Sequence, residues 1–276
     1  MRGWLWLGGC VVLLVGLLTL GANLPAADKP SPGVRILLIG KDRDHPFGTH
    51  EYMTDCQVLA KCLQQTPGVQ TTVSNGWPKE EAQWQNVRAV VLYTANGGDV
   101  LLRGPQRKQV ESLLNQGVGL TAIHWSTGAS PEVGEEWLHI LGGWFHTKFS
   151  KLAVRTTTLQ QADPQHPIAR GWQPFDLRDE YYLHLKFSPK IRPVLTVELD
   201  GQKHVVGWVY ERNNGGRSFG CVLGHFHANF GEKAFRRLLV NGILWTAHLE
   251  VPAEGALCEV TTQDLELPPD TRKPKP

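Results

Sequence analysis

Little in this sequence offers a grip for a polyanion. Its 28 lysines and arginines are nearly cancelled by 26 aspartates and glutamates. No long basic run precedes the C-terminus, so nucleic-acid binding has no electrostatic support. Cysteine is also sparse. Beyond the N-terminal segment the chain keeps Cys56, Cys62, Cys221 and Cys258, with no close C-x-x-C pair, which argues against a structural zinc knuckle. Cys56 and Cys62 face different directions on one predicted helix and cannot easily bridge each other, so isolated buried thiols are expected. A phosphate loop is missing too: Gly40-Lys41-Asp42-Arg43-Asp44 is neither a P-loop nor a G-x-G-x-x-G fingerprint. No internal repeat or low-complexity segment interrupts the chain.

The N-terminus has a different character. Arg2 gives a positive start, Leu5 to Leu20 is almost continuously apolar, and Leu24-Pro25-Ala26-Ala27 supplies small residues. This is the layout of a secretory signal peptide over residues 1–27, implying export to the periplasm or the exterior. The other reading is an uncleaved membrane anchor, since the run is close to the length that spans a bilayer. The remaining roughly 250 residues suit one large domain, taken as residues 34–250. A C-terminal extension, 251–276, follows. Its end, Pro268 to Pro276, is proline-rich and charged and is expected to be disordered.

Between these ends, apolar runs alternate with amphipathic ones. Val34 to Gly40, Val69 to Val73, Arg88 to Thr94 and Gly119 to His124 read as strands. A helix from about Glu51 to Gln65 carries Met53, Cys56, Leu59, Ala60 and Leu63 at three- and four-residue steps. Pro105 reads as a first-turn proline of the helix bearing Val110, Leu113 and Leu114. Gly97-Gly98-Asp99 reads as a turn. The second half is richer in strands: Leu152 to Leu159, Pro193 to Leu199, Val205 to Tyr210 and Ser218 to Leu223. Asn213-Asn214-Gly215-Gly216 marks a hairpin between the last two. A final helix is expected from about Glu232 to His248, with Asn229 a possible cap. The expected fold is therefore α/β: a flavodoxin-like, mostly parallel sheet flanked by helices, with additional strands in the second half.

In such sheets ligands bind outside the carboxyl ends of the strands, which is where several histidines fall. His124 ends a strand and His50 precedes the first helix. His225 and His227 lie in Gly224-His225-Phe226-His227, between an apolar run and the last helix. On an extended segment His225 and His227 would point to one side, as two metal ligands or an acid/base pair require. The alternative has His225 bonded to a loop carbonyl and His227 on the surface. Glu180, in Asp179-Glu180-Tyr181-Tyr182, has aromatic neighbours that would desolvate it and suit it to acid/base work; a salt bridge with Arg178 or Lys186 is the plainer reading. Glu51 is either a site residue or a first-turn acid favoured by the helix dipole. His45 reads as a loop residue and His166 as structural. Trp125, Trp144 and Trp208 serve the core or a stacking platform. Ser126, in His124-Trp125-Ser126-Thr127-Gly128, partly imitates G-x-S-x-G, but His124 replaces the first glycine of that strained turn.

Short stretches in a characteristic order carry a resemblance: Thr49-His50-Glu51-Tyr52, Gly117-Val118-Gly119-Leu120 with Ile123-His124, Leu141-Gly142-Gly143-Trp144-Phe145, and His166-Pro167-Ile168 with Gly171. Asp179-Glu180-Tyr181-Tyr182, Gly224-His225-Phe226-His227, and Phe235 to Leu239 with Asn241 to Trp245 continue it. The chain resembles the ThuA-like (trehalose utilisation) family, of the class I glutamine amidotransferase-like superfamily, over about residues 34 to 250. The resemblance implies a flavodoxin-like layered sheet and a link to catabolism of trehalose and related sugars, including keto-glycosides. It does not extend to glutamine hydrolysis, because His124-Trp125-Ser126-Thr127-Gly128 stands where the cysteine elbow belongs.

The sequence thus suggests an exported protein acting on a glycoside or keto-sugar, with a small carbohydrate as its partner. His124, Glu180 and His225 are the catalytic candidates. His50, Trp125, Tyr182 and His227 are the substrate-binding ones. His124, His225 and His227 are candidate ligands for a divalent metal such as zinc, and metal-free proton transfer is the other mechanism. A noncatalytic carbohydrate-binding protein and a serine hydrolase using Ser126 are the competing classes.

Overall fold

The structure, a computed structural model, describes residues 33–270 together with Met1 and Gly3. The signal-peptide reading therefore lies outside the described residues, as does the end of the tail from residue 271. Among the described residues no helix is long and apolar enough to cross a membrane.

The first half alternates strand and helix: β1 (Val34–Gly40), α1 (Tyr52–Leu63), β2 (Val69–Asn75), β3 (Val87–Leu92), α2 (Gly97–Leu102), α3 (Arg107–Asn115), β4 (Gly119–Ile123) and α4 (Pro131–Leu141). Short β5 (Gly143–Trp144) pairs with β8 (Lys186–Phe187). The long strands β6 (Lys151–Gln161), β7 (Phe175–Leu183), β9 (Arg192–Leu199), β10 (Gln202–Glu211) and β11 (Arg217–Cys221) follow, and α5 (Lys233–Thr246) closes the domain. The turn reading of Gly97 to Asp99 was too short, for these residues open α2. The helix after Pro105 begins only at Arg107.

The main sheet has nine strands in the order β2-β1-β3-β4-β11-β10-β9-β6-β7. The first five are parallel neighbours and reproduce the doubly wound 2-1-3-4-5 order, with β11 as the fifth strand. The next four are antiparallel additions. The core strands are apolar on both faces because both are covered: Ile36 to Ile39 are fully buried, as is all of β4. Adjacent β4 residues show the two layers. Leu120 lines a small apolar cavity together with Val110 and Leu113 of α3, whereas the Thr121 hydroxyl lies 3.2 Å from that of Thr246 in α5. α1 packs beside α5. Trp144 and Trp208 belong to this core. Their indole N–H groups donate to Ala129 O and Leu141 O, each at 2.9 Å, as buried indoles require. Cys56, Cys62, Cys221 and Cys258, the cysteines among the described residues, are buried and free.

Past α5 the chain crosses back over the domain. Val251, Ala256 and Cys258 are buried. Asp270, which the sequence assigned to a disordered tail, accepts a hydrogen bond from Arg43 at 2.6 Å.

A histidine–carboxylate cluster at the carboxyl ends of the strands

The loops that leave β1, β4 and β11 meet above the carboxyl edge of the parallel strands. The His50 loop and the His225 loop are zipped together by backbone hydrogen bonds. His50 N donates to His225 O at 3.0 Å and His227 N to Gly48 O at 3.0 Å. Glu51 caps this arrangement rather than merely complementing a dipole. Its carboxylate accepts Gly48 N at 2.9 Å and Arg43 at 3.0 Å. His124 follows the last residue of β4 in a left-handed conformation, φ 54°, and His50 does the same at φ 50°. Such backbone is costly for a side-chain-bearing residue and is retained where the surroundings enforce it. The elbow of the strand-to-helix turn is thus built around His124. Ser126 lies fully buried behind it, donating to Thr94 O and accepting Thr94 N. With both capacities used internally, Ser126 is unsuited to act as a nucleophile.

β7 supplies the fourth wall. It comes last in the order of the sheet, yet Asp179 accepts Gly224 N at 2.7 Å and His225 N at 2.9 Å. The β6–β7 arm therefore folds back over the end of β11. Gly224 has φ 111°, which a β-carbon would strain; its carbonyl accepts the Tyr93 hydroxyl. Glu180 and Tyr182 are two residues apart and share a strand face, from which both reach His124. The Tyr182 hydroxyl is 3.0 Å and the Glu180 carboxylate 3.7 Å from His124 Nε2.

The outcome is a tight polar cluster. His50 Nε2 lies 2.9 Å from His225 Nδ1 and 3.0 Å from His124 Nε2, and the last two atoms are 3.2 Å apart. Glu180 Oε2 approaches His225 Nδ1 at 3.3 Å. His124 Nδ1 donates to Val222 O at 2.7 Å, so its Nε2 presents a lone pair. Behind His50, Nδ1 is 2.7 Å from the Tyr52 hydroxyl and 3.3 Å from Asp44 Oδ1. Burial, reinforced by His45 and His225, lowers the His50 pKa to about 3. Burial and the neighbouring His50 hold His124 well below its usual value. Both rings are therefore neutral bases at pH 7. Burial opposes ionisation of Asp44, but hydrogen bonds from Lys41 and His45 outweigh it and hold that carboxyl at about 2. Asp179 is pushed up to about 6 by complete burial, against the pull of its three N–H donors.

Of the residues singled out in the sequence, His50, His124, Glu180, Tyr182 and His225 come together. Trp125 sits at the rim, its ring 5.8 Å from that of His50. His227 does not join them. The chain turns into a 3-10 segment at His227, which rotates its ring away from that of His225. Its Nδ1 meets buried Asp55 at 2.5 Å and its Nε2 meets Leu265 O at 2.8 Å. This displaces His227 from the metal-ligand set read in the sequence. Asn229 does not cap the last helix; Glu232 does, while Asn229 donates to Arg178 O. His166 accepts Ile168 N at 3.2 Å, the structural role expected of it. Sequence reasoning did not single out Asp44, Asp55, Tyr52 or Tyr93 as site residues, and placed His45 in a loop only. The His45 ring lies 3.7 Å from that of His50. The one available signal was the density of Asp and His around Asp44-His45 and His50.

Fold and site define a doubly wound α/β protein with a buried imidazole–carboxylate centre at the carboxyl ends of its strands. Residues 35–246 match the ThuA family, described as trehalose utilisation, and the chain belongs to that family. None of the curated proteins matches the sequence. A ThuA-like protein from Parabacteroides merdae ATCC 43184 has a similar structure, with TM-score 0.62 and 17% identity over 86% of this chain and 100% of its own. One from Bacteroides uniformis ATCC 8492 gives TM-score 0.60 and 13% identity over 81% and 95%. A protein described as cytoplasmic from Salmonella typhimurium LT2 gives 0.56 and 12% over 77% and 99%. At these identities the likeness is one of fold.

Proposed function

We propose that this chain is an exported carbohydrate-processing enzyme whose His50, His124, His225 and Glu180 act on a glycoside or keto-sugar. The observation that carries this reading is the convergence of those four side chains at the ligand-binding edge of an α/β sheet. Membership of a trehalose-utilisation family supports the sugar, and the apolar N-terminal run supports export. His225, the imidazole on the partly open side, serves as base toward a hydroxyl or an acidic C–H beside a carbonyl, while neutral His50 and His124 hold the substrate's oxygens by hydrogen bonds. Glu180, on the partly open side of the cluster, returns or removes a proton on the same substrate.

The test is turnover of trehalose and a panel of keto-glycosides by the wild type, Glu180→Ala and His225→Ala. Both variants should stay folded, since each residue is only partly buried, and each should lose ~10²-fold or more in kcat. Unchanged turnover in both would remove these residues from the chemistry. Sugar binding without turnover in the wild type would favour the noncatalytic alternative.

A further inference from the structure

Three ring nitrogens and a carboxylate oxygen of the cluster converge on one point. The His124 proton is committed to Val222 O through Nδ1. The His50 Nδ1 edge faces Asp44 and Tyr52, and the tautomer that donates there leaves a lone pair on Nε2. His50 Nε2 and His124 Nε2 nevertheless stand 3.0 Å apart. In that tautomer two lone pairs face each other, and a cation between them would turn the repulsion into coordination. His225 Nδ1 joins the same triangle at 2.9 and 3.2 Å, and a carboxylate oxygen of Glu180 sits 3.3 Å from it.

We infer that His50 Nε2, His124 Nε2, His225 Nδ1 and Glu180 Oε2 are the ligands of a six-coordinate first-row divalent metal ion. The inference rests on the reading that this cluster is the reactive site, and it names what that site holds. The spacing of the three nitrogens favours that geometry. With metal–nitrogen bonds of ~2.1 Å, nitrogens at adjacent corners of an octahedron are ~3.0 Å apart, and those of a tetrahedron ~3.4 Å. The three observed nitrogen edges, 2.9, 3.0 and 3.2 Å, average nearer the octahedral value, and Glu180 Oε2, 3.3 Å from His225 Nδ1 and 3.7 Å from His124 Nε2, would close in on the ion. Imidazole with carboxylate suits manganese, iron, cobalt or nickel in that geometry. Four protein ligands leave two positions, enough for two neighbouring oxygens of a polyol or hydroxyketone.

The surroundings are those of metal-bound histidines, whose second nitrogen is held by a carboxylate or carbonyl. Val222 O does this for His124, and Asp44 stands behind His50. The ligand-bearing loops are held by buried anchors, Asp179 on His225 and Glu51 on the His50 loop. A rigid frame of this kind preorganises ligands. His227 is outside the set because both its nitrogens are occupied.

The experiment uses the full chain as the cell produces it, stripped by chelation and titrated with cobalt(II) chloride. His225→Gln, Glu180→Gln and the distant control His139→Gln are titrated in parallel. His225 and Glu180 are chosen because neither is fully buried; circular dichroism and thermal melting confirm folding. Expected are about one ion per chain, the weak visible bands of six-coordinate cobalt, and at least a ~10-fold loss of affinity in both ligand variants, with none in the control. No binding of cobalt, manganese, nickel or zinc would overturn the site. So would affinity undiminished in both ligand variants. Intense tetrahedral cobalt bands would overturn the six-coordinate assignment. Sugar turnover that survives complete chelation would refute the metal and leave the carbohydrate reading standing. One bound ion with no turnover of any sugar would do the reverse.

Discussion

Asp179 and His225 are joined backbone to side chain: the Asp179 carboxylate accepts the His225 amide at 2.9 Å. The next residue, Glu180, reaches the ring of the same histidine at 3.3 Å. One strand thus both fixes the position of His225 and supplies its acidic partner.

Asp179→Asn should therefore weaken the site without touching its reacting groups. The carboxylate accepts three backbone N–H groups, from Glu180, Gly224 and His225. A carboxamide of the same shape turns an NH2 toward at least one of them. The expected cost is about 1–3 kcal/mol of stability, read by urea denaturation, with a parallel loss of turnover. A variant as stable as the wild type would show that these bonds do not hold the loop.

Tyr182→Phe separates the hydroxyl from the ring. The ring stacks on Phe145, centroids 4.0 Å apart, and on His124 at 4.6 Å, and phenylalanine keeps both contacts. The fold should lose only about 1 kcal/mol. If the hydroxyl takes part in proton transfer, kcat should fall by ~10²-fold while KM changes little. Steady-state kinetics on a turned-over sugar decide this; an unaltered kcat would confine Tyr182 to packing.

The Asp55–His227 pair gives a pH signature away from the cluster. Burial lowers the His227 pKa, but the hydrogen bond and charge of Asp55 outweigh it, so the folded value lies above the usual 6.5. A raised histidine contributes stability that is complete below the unfolded value and is lost as pH rises through the folded one. Asp55, raised to about 6 by burial, acts in the same direction: the folded state holds its proton more tightly, and that contribution too fades as pH rises. Other buried histidines have opposite slopes, so the comparison is with a variant carrying both Asp55→Asn and His227→Gln, which removes the whole pair. The stability advantage of the wild type over this variant should shrink from pH 6 to pH 9. An advantage constant across that range, measured by denaturant midpoints, would contradict the assignment.

Gly97 opens α2 directly beneath the His124 turn. A β-carbon there would stand 2.3 Å from Ser126 O, a backbone atom that can yield only by moving the turn itself. Gly97→Ala should cost about 1–3 kcal/mol and lower turnover through the displaced His124. Calorimetry together with activity would check it, and a neutral substitution would mean the turn has slack.

The sequence by itself determined the alternation of elements, because residues a few positions apart share the same local periodicity. Buried β1 and β4 read as mostly apolar runs, α1 as a 3.6-residue stripe, and the β10–β11 hairpin as an Asn-Gly turn. From these came the mostly parallel sheet and the rule that set His50, His124 and His225 at one edge. Tertiary structure alone decided which side chains meet there. β7 pairs antiparallel with the preceding strand β6, and nothing local signals that this arm folds over the end of β11 to deliver Glu180, Tyr182 and Asp179. Nor does local spacing say that the chain turns at His227, sending one histidine of the pair into the cluster and the other to Asp55. Period-2 reasoning holds only while the backbone stays extended, and the cluster forms where the backbone leaves that conformation, at the left-handed residues His50 and His124 and at Gly224.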